Sequence, residues 1–176
     1  MSKGLPGFHG ADHIGITVPN LDEAIEFFCN VIGCELIYRA PPFADDKGTF
    51  MKDQLNVHPR ARIRGVAFLR CGNNSNFEVF EYDSPDQSNA IPRNSDPGAH
   101  HIAFYVDDMA RAIEHLEKHN VTFLGRPVVE SEGVDLGVTW IYFLAPWGLQ
   151  LELLSYPDGK GYEEETSARL WDPRPT

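Results

Sequence analysis

The sequence contains two similar halves, and this internal repeat constrains the fold more than any other feature. Residues 11–18 (ADHIGITV) align with residues 99–106 (AHHIAFYV) at an offset of 88. Near the end of each half, residues 77–82 (FEVFEY) align with residues 151–156 (LELLSY) at an offset of 74. The offsets differ because the first half carries a long insert at about residues 41–63. A repeat of this kind indicates one supersecondary unit that is used twice.

Each half predicts the order strand, helix, strand, strand, strand. Residues 13–18 alternate in polarity as a half-buried strand does, and apolar residues at helical spacing follow from Leu21. Gly33 marks the end of this helix. Two strands joined by a tight turn close each half, through residues 72–74 and residues 146–148. The predicted fold class is α+β, with two tandem βαβββ modules forming a concave, cup-like mixed sheet.

The domain prediction follows from the repeat. We expect a single domain over residues 1–157, made of modules at about residues 8–83 and 98–157, with a polar C-terminal tail at residues 158–176. The segment between the modules, residues 84–97, is rich in Pro, Ser, Asn and Asp and is interpreted as a linker. A chain of 176 residues can bury a sufficient core in such a domain without cross-links.

The charge balance argues against polyanionic partners. The chain has 26 acidic and 15 basic residues, a formal net charge of −11. Nucleic acids and anionic membranes attract clustered Lys and Arg, and the local cationic cluster of Arg60, Arg62 and Arg64 is interpreted as a solvated strand edge. We therefore expect a small-molecule substrate and neither a nucleic-acid nor a membrane partner.

The cysteine pattern and the N-terminus indicate a cytoplasmic protein. Cys29, Cys34 and Cys71 are odd in number and lack CxxC spacing, so they predict neither a disulfide set nor a zinc knuckle. The first ten residues carry no apolar signal region, and no window approaches the roughly 18 apolar residues of a membrane span.

The strand alternation places two histidines and two carboxylates on the same kind of sheet face. Apolar residues of the first strand in each module face the helix, which leaves His13 and His101 on the opposite face. In the last strand of each module, Glu78 and Glu152 take that face by the same reasoning. Burying two uncompensated carboxylates costs roughly several kcal/mol each, and a divalent cation removes that cost. Imidazole and carboxylate ligands predict Zn, Fe(II), Mn, Co or Ni.

Each of these residues has a simpler interpretation when it is taken alone. A histidine on a strand is commonly a satisfied polar residue, and a glutamate on a strand commonly faces solvent. The same residue types at matching positions of both repeats favour the metal site. Glu81 is predicted to face away from Glu78 and not to bind the ion.

These motifs resemble the vicinal oxygen chelate superfamily, which includes glyoxalase I, methylmalonyl-CoA epimerase, extradiol dioxygenases, and fosfomycin or bleomycin resistance proteins. The resemblance is carried by DHIGITV, LDEAIEFF, VIGCEL, HHIAFYV and LQLELL, and it covers about residues 8–157. It implies that His13, His101, Glu78 and Glu152 are the metal ligands. The chain departs from the family in the turn at residues 145–148 (APWG), in the long insert and in the tail.

The ligand set favours proton transfer over oxygenation. An ion with open positions polarises a carbonyl, so that an adjacent proton is removed to give a metal-stabilised enediolate or enolate. Glu78 and Glu152 are then the two catalytic carboxylates of a lyase, isomerase or epimerase. The alternative is an Fe(II) extradiol-type dioxygenase, although a fourth protein ligand takes a position that its substrates need. A second alternative is a small-molecule-binding resistance protein.

The insert predicts a cover over an apolar pocket, with an ordinary surface loop as the alternative. His58 within it is a candidate catalytic acid or base, or else a surface histidine. The substrate is expected to be small, oxygenated, and hydrophobic or aromatic. The predicted pocket residues are Phe50, Met51, Leu55, Phe80, Tyr82, Tyr105, Trp140, Tyr142, Leu154 and Tyr156. We also expect a homodimer, because modules of this superfamily commonly associate and a sheet edge needs cover.

Overall fold

The computed structural model describes residues 4–73 and 75–174. Predictions that involve residues 1–3, Asn74 in the first hairpin turn, and residues 175–176 of the tail lie outside these described residues. The chain divides into two compact units, with the boundary between Ser88 and Asn89. We call them unit 1 and unit 2 and describe each by itself.

Unit 1 contains a mixed five-stranded sheet. Its elements are β1 (Ile14–Val18), α1 (Leu21–Glu26), a π-helical continuation (Phe27–Ile32), β2 (Glu35–Ala40), β3 (Phe43–Ala44), α2 (Phe50–Leu55), β4 (Arg62–Cys71) and β5 (Ser75–Asp83). The strand order is β1-β5-β4-β2, and β3 pairs with β4. The pair β1 and β5 is parallel and the other pairs are antiparallel.

Unit 2 repeats this arrangement without the insert. Its elements are β6 (Ile102–Tyr105), α3 (Met109–Lys118), β7 (Thr122–Val129), a 3-10 turn (Gly133–Asp135), β8 (Thr139–Leu144), β9 (Gln150–Ser155) and α4 (Tyr162–Glu165). The strand order is β6-β9-β8-β7, with β6 and β9 parallel. The predicted α+β class and the two βαβββ modules are therefore confirmed.

Helices in the described part of the chain are all too short or too polar to cross a membrane.

Local sequence signals explain where the first helix of each unit begins and ends. Asn20 caps α1 by accepting the Glu23 N–H at 2.9 Å, and Asp108 caps α3 by accepting the Arg111 N–H at 3.0 Å. Gly33 ends the π-helical continuation at φ 95°, a left-handed conformation that favours glycine. Both helices thus follow their strand after a turn, as the repeat predicts.

The helix-facing sides of the strands form the cores. Phe77 and Val79 of β5 and Leu151 of β9 are fully buried, and Leu153 of β9 is nearly so. These residues therefore take the face of the strand that the sequence predicts. Ile14 is the exception: it was expected to face the helix and is 41% exposed. It opens β1, which lies at an edge of its sheet, whereas Ile16 and Val18 further along the strand are buried.

The insert of unit 1 folds onto the sheet rather than away from it. Met51 of α2 is fully buried and forms a core cluster with Ala61, Ile63 and Val66. Partly buried residues packed against this cluster are Ala40, Leu55, Val57, Phe68, Phe80 and Tyr82. Phe80 and Tyr82 alternate with Phe77 and Val79 along β5, so the insert covers the sheet face that α1 leaves bare.

A disulfide joins Cys34 and Cys71, a pair that the cysteine spacing in the sequence does not predict. Cys34 precedes β2 and Cys71 ends β4, and the antiparallel register of these strands brings the two Cα atoms to 4.2 Å. A separation of 37 residues leaves no local pattern from which the pairing could be predicted. Cys29 is free.

The tail, described through Arg174, packs on its own unit. The Gly161 N–H donates to the carbonyl of Leu136 at 3.0 Å, and Gly161 approaches the carbonyl of Gly133 too closely for a side chain to fit. The Arg174 guanidinium lies 5.6 Å from the centre of the Tyr156 ring. The polar C-terminal tail, as far as Arg174, is therefore folded within unit 2.

Candidate functional site

In unit 1 the sheet brings His13 and Glu78 into contact. His13 immediately precedes β1, and Glu78 lies in β5 directly opposite Gly15 of β1. Because His13 and Gly15 are two residues apart, they share a face of the strand. The His13 Nε2 and a Glu78 carboxylate oxygen are 3.0 Å apart. Two of the four predicted ligands, His13 and Glu78, are therefore in contact within unit 1.

Unit 2 builds the same pair from the matching positions. His101 immediately precedes β6, and Glu152 of β9 lies opposite Ala103 of β6. The His101 Nε2 and a Glu152 carboxylate oxygen are 3.1 Å apart. The small residues Gly15 and Ala103 leave room for this approach in each unit.

An aromatic ring supports each histidine. Phe68 of β4 is the antiparallel partner of Glu78, and its ring packs edge-on against His13 with the centroids 5.8 Å apart. Tyr142 of β8 is the partner of Glu152, and its ring packs edge-on against His101 at 5.2 Å. Each glutamate is thus flanked by a small residue on one strand and an aromatic residue on the other.

The other ring nitrogen of each histidine meets an oxygen acceptor. The Nδ1 of His13 is 2.8 Å from the Asp12 carboxylate, and the Nδ1 of His101 is 3.1 Å from the Asn94 side-chain oxygen. The Asn94 side chain also faces Tyr142, whose pKa is raised by burial and lowered by Asn94. Sequence reasoning missed both acceptors: Asp12 was visible beside His13, whereas Asn94 lies in the expected linker, where nothing marked it.

The two pairs differ in burial. The Glu152 side chain is 10% exposed and the Glu78 side chain 23%. Burial raises the pKa of Glu152, while the charges of His101 and Lys160 oppose this rise. For His13, the hydrogen bond to Asp12 raises the pKa, burial lowers it, and Glu78 raises it further.

The donor set fits a divalent cation. An oxygen acceptor at Nδ1 fixes the proton of a neutral imidazole there, so the Nε2 lone pair faces a carboxylate oxygen about 3 Å away. Two electron-rich atoms at that distance need a proton or a cation near them. Within residues 4–73 and 75–174, no group of three or more His, Cys, Asp and Glu side chains is close enough to hold a metal ion.

His58 is engaged in a turn of the insert. Its Nδ1 accepts the Arg60 backbone N–H at 3.0 Å, and its side chain is half-buried. The charge of His58 also lowers the pKa of Asp86, which follows β5. Glu81, which is predicted to face away from Glu78, accepts the Leu21 N–H at 2.8 Å on the helix side of β5, in agreement with that direction.

The predicted pocket residues occupy several environments. Met51 is fully buried and is a core residue of unit 1, whereas Phe50 on the same helix is 46% exposed. In unit 2, Trp140 donates its indole N–H to Glu130 at 2.8 Å. Tyr105 packs against Tyr156 with the ring centroids 4.9 Å apart. The half-buried members are Leu55, Phe80, Tyr82, Tyr105, Trp140, Tyr142 and Leu154.

The arginine cluster of unit 1 is neutralised within the unit. Arg62 pairs with Asp46 and Arg64 pairs with Asp83 at 2.5 Å. Arg60 donates to the carbonyls of Asp45 and Gly48. These arginines therefore bind residues of the insert and the last residue of β5. This agrees with their interpretation as part of a strand edge.

Proteins similar in sequence to this chain include a named epimerase and an uncharacterised protein. A protein of Actinomyces sp. named 2-epi-5-epi-valiolone epimerase is 44% identical over 172 residues, which cover 97% of this chain and 92% of that protein. The uncharacterised protein YaeR of Escherichia coli K12 is 27% identical over 150 residues, covering 84% and 96%. The first of these fits the predicted epimerase-like enzyme and does not favour the dioxygenase alternative.

Solved structures and a family model agree on the fold. A glyoxalase family protein of Bacillus cereus superposes with a TM-score of 0.66 at 21% identity, covering 88% of this chain and 97% of that one. A fosfomycin resistance protein of Mesorhizobium loti gives 0.55 at 18%, covering 90% and 98%. A sequence model of the Glyoxalase/Bleomycin resistance protein/Dioxygenase superfamily matches residues 12–139. With its two βαβββ units and its repeated His–Glu pair, the chain belongs to this superfamily.

Proposed function

We propose that the protein is a divalent-metal-dependent epimerase that inverts a stereocentre next to the carbonyl of a small oxygenated substrate. The observation that carries this proposal is the repeated pair, in which a histidine Nε2 lies 3.0 to 3.1 Å from a buried or half-buried glutamate in each unit. The relative that is 44% identical is named as an epimerase, and the name of its substrate ends in the suffix of a ketone.

The chemistry of such an inversion explains the residue types. A proton on a carbon next to a carbonyl is removable because the negative charge spreads onto the carbonyl oxygen. Returning a proton from the other side of that carbon inverts the centre, so two acid–base groups suit the reaction. We assign these roles to Glu78 and Glu152, one from each unit. When bound, the divalent ion would polarise the carbonyl as a Lewis acid.

We assign the metal ligands to the same pairs: His13, Glu78, His101 and Glu152. Asp12 and Asn94 would then orient the histidines by accepting the Nδ1 protons, which leaves each Nε2 available to the ion. Imidazole nitrogen with carboxylate oxygen suits Zn, Fe(II), Mn, Co or Ni. His58 is kept as a candidate acid or base of the insert, although its Nδ1 is used by Arg60.

The remaining proposals concern the substrate, the location and the assembly. Phe80 and Tyr82 of β5, with Trp140 and Tyr142 of β8, support a substrate with apolar surface beside its oxygens. We propose a homodimer without nucleic-acid or membrane partners. We also propose a cytoplasmic location, in which the Cys34–Cys71 disulfide is unusual because the cytosol keeps most thiols reduced.

The proposed reaction is tested by proton exchange with solvent. Wild-type protein, loaded with a divalent ion and given 2-epi-5-epi-valiolone in D2O, is expected to release an epimer that carries deuterium at the inverted carbon. Glu78→Gln and Glu152→Gln are expected to lower the rate at least about 100-fold, because each removes an acid–base group. Metal content measured by elemental analysis should fall in the same variants.

Glu81→Gln is the matched control. It lies three residues from Glu78 on the same strand and caps α1 through Leu21, and glutamine keeps that acceptor. Its exchange rate and metal content should stay at the wild-type level. Absence of deuterium from the product of active enzyme would contradict the proton-transfer mechanism, and equal metal loss in Glu78→Gln and Glu81→Gln would contradict the ligand assignment.

A further inference from the structure

A tight turn after β9 returns the chain over the sheet of unit 2. The Gly159 N–H donates to the Tyr156 carbonyl at 3.0 Å, and Gly159 has φ 97°, which favours glycine. The next residue, Lys160, donates its backbone N–H to the Glu163 carboxylate at 3.1 Å. Its carbonyl in turn accepts the Glu163 N–H at 3.0 Å. The backbone of Lys160 is therefore fixed on both sides.

The turn places the Lys160 ammonium on the face that carries Glu152. Residues 152, 154 and 156 share a face because side chains alternate along a strand. The Lys160 Nζ lies 4.2 Å from the centre of the Tyr156 ring, which is a cation–π contact. Burial raises the pKa of Tyr156, so the ring is a neutral phenol at pH 7. Lys160 is also close enough for its charge to act on Glu152.

The neighbouring cations are occupied by protein partners. Arg174 pairs with Asp172 at 2.6 Å and with Glu163 at 3.4 Å. Arg169 donates to backbone carbonyls, including that of Glu163 at 3.1 Å. Lys160, by contrast, directs its ammonium to no hydrogen-bond acceptor or ion-pair partner among the residues that the structure describes. Its contact with Tyr156 leaves ammonium hydrogens for another acceptor.

A cavity of about 170 Å³ adjoins this ammonium. Tyr156, Lys160, Tyr162 and Trp171 line it, together with Arg174 and its two carboxylate partners, Asp172 and Glu163. Its volume suits part of a small oxygenated molecule or a few water molecules. An ammonium held on a neutral ring at the edge of such a cavity is a site for a neutral or anionic oxygen.

We propose that Lys160 is a substrate-binding residue that donates hydrogen bonds to a hydroxyl or carboxylate oxygen of the substrate on the Glu152 face of unit 2. This inference rests on the proposed epimerase function. The proposed contact is with an oxygen away from the carbon that is inverted, so it would be made equally before and during the reaction. Loss of such a contact weakens substrate binding and leaves the chemical step largely unchanged.

The test separates KM from kcat. In the solvent-exchange assay with 2-epi-5-epi-valiolone, Lys160→Gln is expected to raise KM roughly 10-fold to 100-fold, as expected for a lost hydrogen bond to a charged group. Its kcat should change less than its KM, because the contact with the substrate is lost entirely whereas the chemical step feels only the charge of Lys160 on Glu152. Lys160→Arg keeps the charge and should recover most of the affinity. Lys118→Gln, which removes a surface lysine paired with Glu114, should match wild type.

The outcomes distinguish this inference from the function on which it rests. A wild-type protein that neither binds nor exchanges the ketone would overturn both. A wild-type protein that exchanges it, together with a folded Lys160→Gln variant of unchanged KM, would overturn the role of Lys160 alone. A fall in kcat that Lys160→Arg fails to rescue would also overturn it, because that result indicates a structural role.

Discussion

At the scale of single residues, Asp45 shows how one carboxylate can organise a loop. It accepts the backbone N–H groups of Gly48 at 2.7 Å, Phe50 at 3.0 Å and Lys47 at 3.3 Å. These hydrogen bonds, with that of Gly48 the largest influence, lower the pKa of Asp45. Phe50 opens α2, so the carboxylate also satisfies an N–H at the start of that helix.

The stability that Asp45 provides is expected to depend on pH. Because its pKa is lower in the folded than in the unfolded chain, the contribution is complete above the unfolded value of about 4 and is lost as pH falls through the folded value. Asp45→Asn should therefore be less stable than wild type at pH 7, with a difference that shrinks below pH 4. Urea unfolding at several pH values measures this, and a difference independent of pH would contradict it.

The site residues show at the same scale how far local patterns reach. Alternation along β1 and β5 was enough to select His13 and Glu78 and to exclude Glu81, because side-chain direction in a strand has a period of two residues. The residue that accepts the hydrogen bond from the His101 Nδ1 could not be predicted from strand alternation. Asn94 is seven positions from His101 along the chain, in a segment without strand or helix periodicity.

At the scale of elements, the insert is a structural part of unit 1. Its helix α2 buries Met51 completely in a cluster with Ala61, Ile63 and Val66. That cluster packs against Phe80 and Tyr82 of β5, on the same strand face as Glu78. The sequence indicated a cover over this face, and the packing explains how a long segment remains ordered there.

The packing of α2 predicts an uneven response to substitution along the helix. Met51→Ala should lower the free energy of unfolding by about 2 to 5 kcal/mol, since it leaves a cavity in the core. Lys52→Ala, at an exposed position of the same helix, should change it by no more than about 0.5 kcal/mol. Chemical denaturation of both variants gives the comparison, and similar small effects would show that the insert is not part of the core.

At the scale of the whole molecule, each unit leaves a strand edge with apolar side chains. β2 lies at one edge of its sheet, where Ile37 and Tyr38 are 51% and 52% exposed. β7 lies at an edge in unit 2, where Val129 is 68% exposed. Such edges are covered in most proteins because they would otherwise pair with other chains.

We therefore expect the protein to be a homodimer in solution. Light scattering coupled to gel filtration should give about twice the chain mass of 19.8 kDa at micromolar concentration. The mass should remain constant when salt is raised, because apolar contacts are not screened as ion pairs are. A mass of one chain across the concentration range would rule out this assembly.

The sequence by itself determined the repeated βαβββ pattern, the face that most strand residues take, and His13, Glu78, His101 and Glu152 as candidate site residues. These depend on periodicities of two and 3.6 residues and on a comparison of the two halves, all of which are present in the order of residues. Only the tertiary structure decided the Cys34–Cys71 bond, the acceptor role of Asn94, and the cation–π contact of Lys160 with Tyr156. Each of these features depends on which residues strand pairing and turns bring together in space. No local periodicity along the chain encodes such contacts.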